Sequence, residues 1–274
     1  MTLLTIDKET CARDAICVAE CPAGIIAQDT AEDYPALIQG GDQYCIGCGH
    51  CVAVCPHGAM THWLVSPSQC TPIDATLQVS SEQMSHLLKQ RRSIRSFKRK
   101  PVGRDTLETL IDCARYAPSG HNLQPVQWLI IYDGSTVQAM ATHVLDWMQS
   151  LIAAQSPLAE AMHLDRTVAA WEAGTDRILR GAPHVVVAFA HKDDRTAPAA
   201  CTIAQTYLEL MAHASGLGAC WAGYFNAAAN MWPPMQVALG LPKDHVSYGA
   251  MMVGHPRFKY HRIPPRRGAR IQWR

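Results

Sequence analysis

The sequence predicts an α+β protein of two unequal parts: a short cysteine-rich module at the N-terminus and a larger module of alternating helices and apolar strands. Three observations carry this. Seven of the eleven cysteines fall within residues 1–63, in two runs that each end in Cys-Pro. Charge divides at the same place, with two basic and eight acidic residues in 1–63 but 22 basic and 15 acidic in 64–274. Beyond residue 80 the apolar periodicity switches repeatedly between helix and strand spacing. A chain of 274 residues, 48% hydrophobic, is long enough for two cores.

The N-terminal module is read from its cysteines. Cys45-Ile-Gly-Cys48-Gly-His-Cys51-Val-Ala-Val-Cys55-Pro56 has x2, x2, x3 spacing closed by proline. This is the ligand run of a bacterial-type iron–sulfur cluster, in which one loop places three thiolates and the fourth serves a second cluster. Upstream, Cys11-Ala-Arg-Asp14-Ala-Ile-Cys17-Val-Ala-Glu-Cys21-Pro22 repeats the register with Asp14 at the second position. The stretch from Met1 to about Trp63 therefore resembles a two-cluster bacterial ferredoxin. That resemblance implies one four-iron cluster on Cys21, Cys45, Cys48 and Cys51. It implies another on Cys11, Cys17 and Cys55, with Asp14 as fourth ligand or bystander. A carboxylate is a harder ligand than a thiolate, so the Asp14 cluster is expected as a 4Fe-4S form with an oxygen ligand or as 3Fe-4S. CxxC pairs also bind zinc, but two interleaved Cys-Pro runs favour iron–sulfur. His50 and His57 flank ligands and are expected either to tune potential from outside the ligand set or to be surface residues.

The other cysteines, Cys70, Cys113, Cys201 and Cys220, are scattered and show no disulfide framework. Clusters and free thiols suit a reducing cytoplasm. The sequence shows no signal peptide and no apolar run of membrane-spanning length. The expectation is a cytoplasmic protein with no membrane partner. The basic C-terminal part lacks a helix-turn-helix or aromatic RNA motif, so no nucleic-acid partner is expected. A phosphate-bearing cofactor explains its charge better.

Residues 64–80, with two prolines and no strong period, read as a linker between domains 1–63 and 81–274. A helix begins near Ser81. Asp105–Tyr116 is a second, with Leu107, Leu110, Ile111 and Ala114 on one face and Pro118 as the stop. Residues 127–132 form a strand. Residues 140–179 are helical, interrupted at Pro157 and Gly174. Residues 185–190 form a buried strand, 199–215 an apolar helix stopped by Gly216 and Gly218, and 246–253 the last strand.

Three motifs carry the larger module's chemistry. Arg91-Arg92-Ser93-Ile94-Arg95-Ser96-Phe97 sets guanidinium groups and a hydroxyl at a helix end, a phosphate-binding combination. Ala117-Pro118-Ser119-Gly120-His121-Asn122-Leu123-Gln124-Pro125 is a polar turn. Gly216-Leu217-Gly218-Ala219-Cys220-Trp221-Ala222-Gly223-Tyr224-Phe225 is small enough to let the backbone approach something flat. With the tail Gly254-His255-Pro256…His261-Arg262-Ile263-Pro264…Arg266-Arg267, this ordered set resembles the FMN-dependent nitroreductase family over residues 82–274, in its ferredoxin-fused branch.

The resemblance implies an α+β sandwich and a homodimer with flavin at the interface. Arg91, Arg92 and Ser93 would hold the FMN phosphate, closed by Arg266 or Arg267. Pro118, Ser119, Gly120 and Asn122 would reach the flavin from the other subunit. The backbone of Ala222 and Gly223 would pass near flavin N5. Arg177 and Arg180 are further candidates for the pyrimidine side or belong to a solvated helix end, and Trp147, Met148, Met162 and Trp171 are candidates for the substrate side or for core packing. No protein nucleophile–base pair stands out, and flavin N5 chemistry needs none. Cys220 is expected as a buried small hydrophobe. The implied activity is reduction of a small oxidised acceptor, nitroaromatic or quinone-like. Its electrons would come from a low-potential donor such as ferredoxin or flavodoxin through the clusters. Ene-reduction, dehalogenation and flavin-ring remodelling on the same scaffold stay open, as does electron transfer or redox sensing without turnover.

Overall fold

The computed structural model describes residues 2–274. Contacts divide the chain into two compact units: residues up to Gln78 with His121–Leu123, and Val79–Gly120 with Gln124–Arg274.

The first unit contains, in order, β1 (Leu4–Ile6), α1 (Ile16–Ala19), β2 (Ile26–Ala27), β3 (Ala36–Leu37), α2 (His50–Ala53) and β4 (Met60–His62). Strand β1 pairs antiparallel with β4, setting Leu4 opposite His62 and Ile6 opposite Met60. Strands β2 and β3 form a second antiparallel pair. The core is small: Cys17, Ile25, Ile26, Val52 and Met60, with Cys21, Cys45, Cys51 and Cys55 at its margin. Residues 64–80 hold only the short turns Pro67–Gln69 and Ala75–Leu77.

The second unit runs α3 (Ser81–Gln90), α4 (Arg104–Ala114), β5 (Gln127–Ile131), α5 (Gly134–Ala153), α6 (Pro157–Ala161) and α7 (Leu164–Glu172). It continues with β6 (His184–His191), α8 (Ala197–Ala214), β7 (Gly218–Trp221), α9 (Gly223–Met231), α10 (Pro233–Leu239) and β8 (His245–Gly254). Helix α3 starts where Ser80 and Gln83 exchange side-chain and backbone hydrogen bonds, a capping box. The four strands form an antiparallel sheet in the order β5-β6-β8-β7.

Side-chain alternation divides this sheet between two cores. Leu129, Ile131, Val185, Val187, Cys220, Ala250 and Met252 face a layer containing α5, α7 and α9. Trp128, Ile130, Val186, Ala219, Met251 and Val253 face α4 and α8 through Leu107, Leu110, Ala114, Leu208 and Ala212. With both faces covered, the central strands read as continuous apolar runs although the sheet is antiparallel. The result is an α+β sandwich.

Three expectations change in detail. The region 140–179 is three helices: α5 begins at Gly134, Pro157 opens α6 behind its cap Ser156, and α7 ends ahead of Gly174, whose φ is 80°. Helix α4 stops at Ala114, before Pro118 can act, because Ala117 already turns back to Ala114. Residues 216–225, read as a small-residue segment, contain strand β7 and the start of α9.

Candidate redox site

The eight cluster-ligand positions sort into two cavities. One is lined by Cys21, Cys45, Cys48 and Cys51 with Leu4, Ile25, Ile26 and His62. The other is lined by Cys11, Asp14, Cys17 and Cys55 with Ile6, Pro35, His57 and Met60. The crossover is as the ferredoxin resemblance implies: Cys21 joins the downstream run and Cys55 the upstream one. Among the described residues, no three His, Cys, Asp or Glu side chains are grouped to hold a single metal ion.

Backbone conformation shows that the two runs are one repeated device. In the downstream loop Gly47 and Gly49, on either side of Cys48, have φ of 60° and 72°. In the upstream loop Arg13 and Ala15, on either side of Asp14, both have φ of 56°. Glycine adopts this left-handed geometry freely, whereas other residues meet a penalty of about 1–2 kcal/mol each. The upstream loop therefore holds the same shape against local preference and delivers Asp14 to the cavity wall where its counterpart delivers Cys48. The Asp14 Oδ1 also accepts the Ile16 N–H at 3.2 Å.

Electrostatics group the thiols the same way. Burial, then the charges of Cys48 and Cys21, push the Cys51 thiol up to about 11. Burial also raises Cys17, with Cys11, Cys55 and Asp14 adding to the effect. Thiols that resist ionisation together are relieved by a cationic iron group, so loading releases protons. Backbone donors already point at two sulfurs: Gly47 N–H at Cys45 Sγ, 3.5 Å, and Ala59 N–H at Cys55 Sγ, 3.3 Å. The donor sets and cavities fit two iron–sulfur clusters.

His62 is the residue that the sequence reading missed. It is buried and lines the first cavity. Its Nε2 lies 3.5 Å from Cys45 Sγ, and its Nδ1 accepts the Leu64 N–H at 3.1 Å. Burial lowers the imidazole pKa. The alternation of Met60-Thr-His62 after the last Cys-Pro was the available signal. His57 lines the second cavity, and the exposed His50 lines the first, its Nδ1 3.4 Å from the Cys48 carbonyl.

In the second unit, backbone pairing brings three motifs together. The Ile94 N–H donates to Ala219 O at 2.9 Å, the Lys98 N–H to His255 O at 2.8 Å, and the Arg257 N–H to Ser96 O at 2.9 Å. The 91–98 segment thus lies between strand β7 and the tail. Cys220, buried in the sheet, donates its thiol to Trp221 O at 3.6 Å, and burial raises its pKa against the opposing charges of Arg95 and Arg180. It is a core thiol. Ala222 is the N-cap of α9, anchored to Ala250 O at 2.8 Å, and a Cβ on Gly223 would meet nothing within 4 Å. That open backbone at a helix N-terminus is where a flat anionic edge could approach.

Arg92 lies along a cleft with His86, His213, Lys259, His261 and Arg262. The structure thus brings Arg262 beside Arg92, while Arg266 and Arg267 lie further along the exposed tail. The Arg91 guanidinium donates to Glu209 at 2.7 Å. Ser119 Oγ accepts the Gln124 N–H at 2.9 Å, and a Cβ on Gly120 would come within 2.8 Å of Thr196. Pro118 precedes them in the same turn. Asn122 groups with the first unit, where its amide donates to the carbonyls of Ile46 and Gly47 at 3.3 and 3.1 Å. At Gly218, Ile94 packs 2.5 Å from where a Cβ would sit, so only glycine fits there. Trp147 and Met148, at 1% and 0% exposure, are core; Met162 and Trp171 pack at its margin. The remaining donors, Ser93, Arg92, Arg180 and the Gly223 backbone, are of the kinds that a phosphate-bearing flavin takes.

Comparison with known proteins agrees. Residues 88–255 match the model of the nitroreductase family, and residues 3–56 that of the 4Fe-4S dicluster domain. The chain belongs to the nitroreductase family and is a ferredoxin-fused oxidoreductase of that family. Among solved structures, a nitroreductase with bound FMN from Bacteroides fragilis NCTC 9343 superposes with a TM-score of 0.57 at 20% identity, over 69% of this chain and 99% of that one. A nitroreductase with bound FMN from Desulfitobacterium hafniense DCB-2 gives 0.57 at 21%, over 71% and 99%. A BluB-like flavoprotein from Clostridium difficile 630 gives 0.55 at 18%, over 68% and 94%. These likenesses establish the fold. Among the described residues, no helix is long and apolar enough to cross a membrane.

Proposed function

We propose that this protein is a cytoplasmic, homodimeric, FMN-dependent reductase that is fed through its own iron–sulfur clusters and reduces a small nitroaromatic or quinone-like acceptor. The observation that carries the reading is the sorting of eight ligand positions into two cavities of four, in the same chain as a nitroreductase fold. Bound clusters supply one-electron transfer, and bound FMN links it to two-electron reduction.

The chain's own residues do the rest. Cys21, Cys45, Cys48 and Cys51 hold one 4Fe-4S cluster. Cys11, Cys17 and Cys55 hold the other, with Asp14 as an oxygen ligand or, in a 3Fe-4S form, beside it. Arg92 and Ser93 hold the FMN phosphate, helped by Arg91 through its remaining donors and by a tail arginine, Arg262 on the cleft or Arg266 or Arg267 beyond it. Gly223 offers its backbone N–H to the flavin edge, where developing negative charge is stabilised, and Ala222, whose own N–H is donated to Ala250 O, positions it at the start of α9. Pro118, Ser119, Gly120 and Asn122 serve the partner subunit's flavin. A tethered ferredoxin module raises the effective concentration of the donor.

The test is donor-dependent turnover of a nitroaromatic and a quinone. The proposal predicts turnover with reduced ferredoxin or flavodoxin, slow turnover with NADH or NADPH, and loss of the fast reaction in Cys51→Ser. Full-speed turnover with a nicotinamide, unaffected by Cys51→Ser, would overturn it.

A further inference from the structure

We propose that His62 is a potential-tuning residue, donating its Nε2–H to Cys45 Sγ and so making the cluster on Cys21, Cys45, Cys48 and Cys51 easier to reduce than its counterpart's surroundings would. The inference rests on the cluster assignment above. Its force comes from the tautomer, which ordinary structures leave open and which the geometry here fixes. The Leu64 N–H donates to Nδ1 at 3.1 Å, so Nδ1 must carry a lone pair. The ring proton is then on Nε2, the atom 3.5 Å from Cys45 Sγ.

The imidazole is held in this pose from several sides. His62 ends β4, paired with Leu4. Its backbone exchanges both hydrogen bonds with Val65, at 3.0 and 2.9 Å, closing a tight turn. The side chain is buried at 2% exposure, so water does not compete for the donor. Swinging the ring away would break the Leu64 N–H bond to Nδ1.

The two cavities make an internal control. They are built by the same repeat, with matching left-handed loop positions and matching Cys-Pro ends. The β1–β4 pair contributes one rung to each: Leu4 and His62 to the first, Ile6 and Met60 to the second. Each cavity also receives one backbone N–H on a sulfur, from Gly47 and from Ala59. The side-chain donor is therefore a departure from the repeat, confined to one cluster. A donor aimed at a ligand sulfur favours the more negative, reduced cluster and raises its potential. The second cavity instead carries the Asp14 carboxylate. The chain thus sets its two clusters apart by two single-residue changes, one per cavity.

The experiment is an anaerobic redox titration of the full-length holoprotein monitored by EPR, for wild type, His62→Leu and His62→Gln. His62→Leu should shift the equilibrium of the Cys21/45/48/51 cluster toward its oxidised form by roughly threefold to tenfold, where tenfold is about 59 mV for one electron. The Asp14-side cluster should not move. His62→Gln, which keeps an N–H donor, should recover much of the shift. A second measurement uses 15N-labelled histidine: pulsed EPR of the reduced wild-type protein should show an imidazole nitrogen weakly coupled to the Cys21/45/48/51 cluster, and that coupling should be lost in His62→Leu while any from His50 or His57 persists. Intact clusters with unchanged potentials, equal shifts at both clusters, or no imidazole coupling would each overturn the proposal. Wild-type protein with no iron–sulfur signal would overturn the cluster assignment beneath it.

Discussion

Arg91 was expected at a phosphate, and its Nη1 is committed to Glu209, which gives a prediction that can be worked through. The ion pair joins the end of α3 to α8 across 118 residues of sequence, at 2.7 Å. The Glu209 side chain is 9% exposed and that of Arg91 23%. Breaking a fully buried pair by removing one partner costs about 3–5 kcal/mol, and the wetter arginine end reduces this, so Arg91→Met should cost roughly 2–3 kcal/mol. In Glu209→Leu the same substitution leaves no stranded carboxylate and should cost under about 1 kcal/mol, a coupling of roughly 2 kcal/mol. Denaturant unfolding followed by tryptophan fluorescence suits the test, because six of the seven tryptophans lie beyond residue 79.

The pH dependence follows in sign. Burial raises the Glu209 pKa above its ordinary 4.5, and Arg91 opposes the rise. Without Arg91 the folded-state pKa climbs further, so the folded protein binds a proton that the unfolded chain has already released. Stability of Arg91→Met therefore falls as pH rises from 4.5 through the raised value, and its deficit narrows on acidification. Equal cost of Arg91→Met in both backgrounds, with no pH trend, would refute the ion-pair account and return Arg91 to a purely ligand-binding role.

Two further substitutions probe the rest. Gly218→Ala places a methyl group 2.5 Å from Ile94, so it should lose about 1–3 kcal/mol of stability, and adding Ile94→Val should return part of that; a stable single variant would contradict the packing. Asp14→Cys should give a stable four-iron cluster at both sites by EPR and iron content. An unchanged cluster type would rule out Asp14 as a ligand.

What the sequence revealed followed from how local each signal was. The cysteine runs specify a ligand set because spacing within one loop decides which thiolates can converge, and both cavities contain the sets inferred. Strands β5, β6 and β8 were legible as apolar runs of strand length, and α8 as an apolar helix closed by Gly216. Strand β7 was hidden because Gly218-Ala-Cys-Trp221 is short, and its small residues answer to Ile94 and the sheet, not to a local period. The Arg91–Glu209 pair and the His62–Cys45 contact join residues 118 and 17 positions apart. Neither has a spacing rule, and only the folded register creates them. Residue type left Trp147 and Met148 open between substrate side and core packing, and their position places them in the core.

The central claim, that electrons pass through the clusters to flavin, is tested most directly by an anaerobic reductive titration of the purified protein. Absorption and EPR spectra would be followed with dithionite, then with NADH and NADPH. The account predicts that dithionite bleaches flavin and iron–sulfur bands together and that the nicotinamides leave both largely oxidised. Rapid full reduction by NADH or NADPH would contradict cluster-fed chemistry, and protein lacking flavin would contradict the flavoenzyme reading itself.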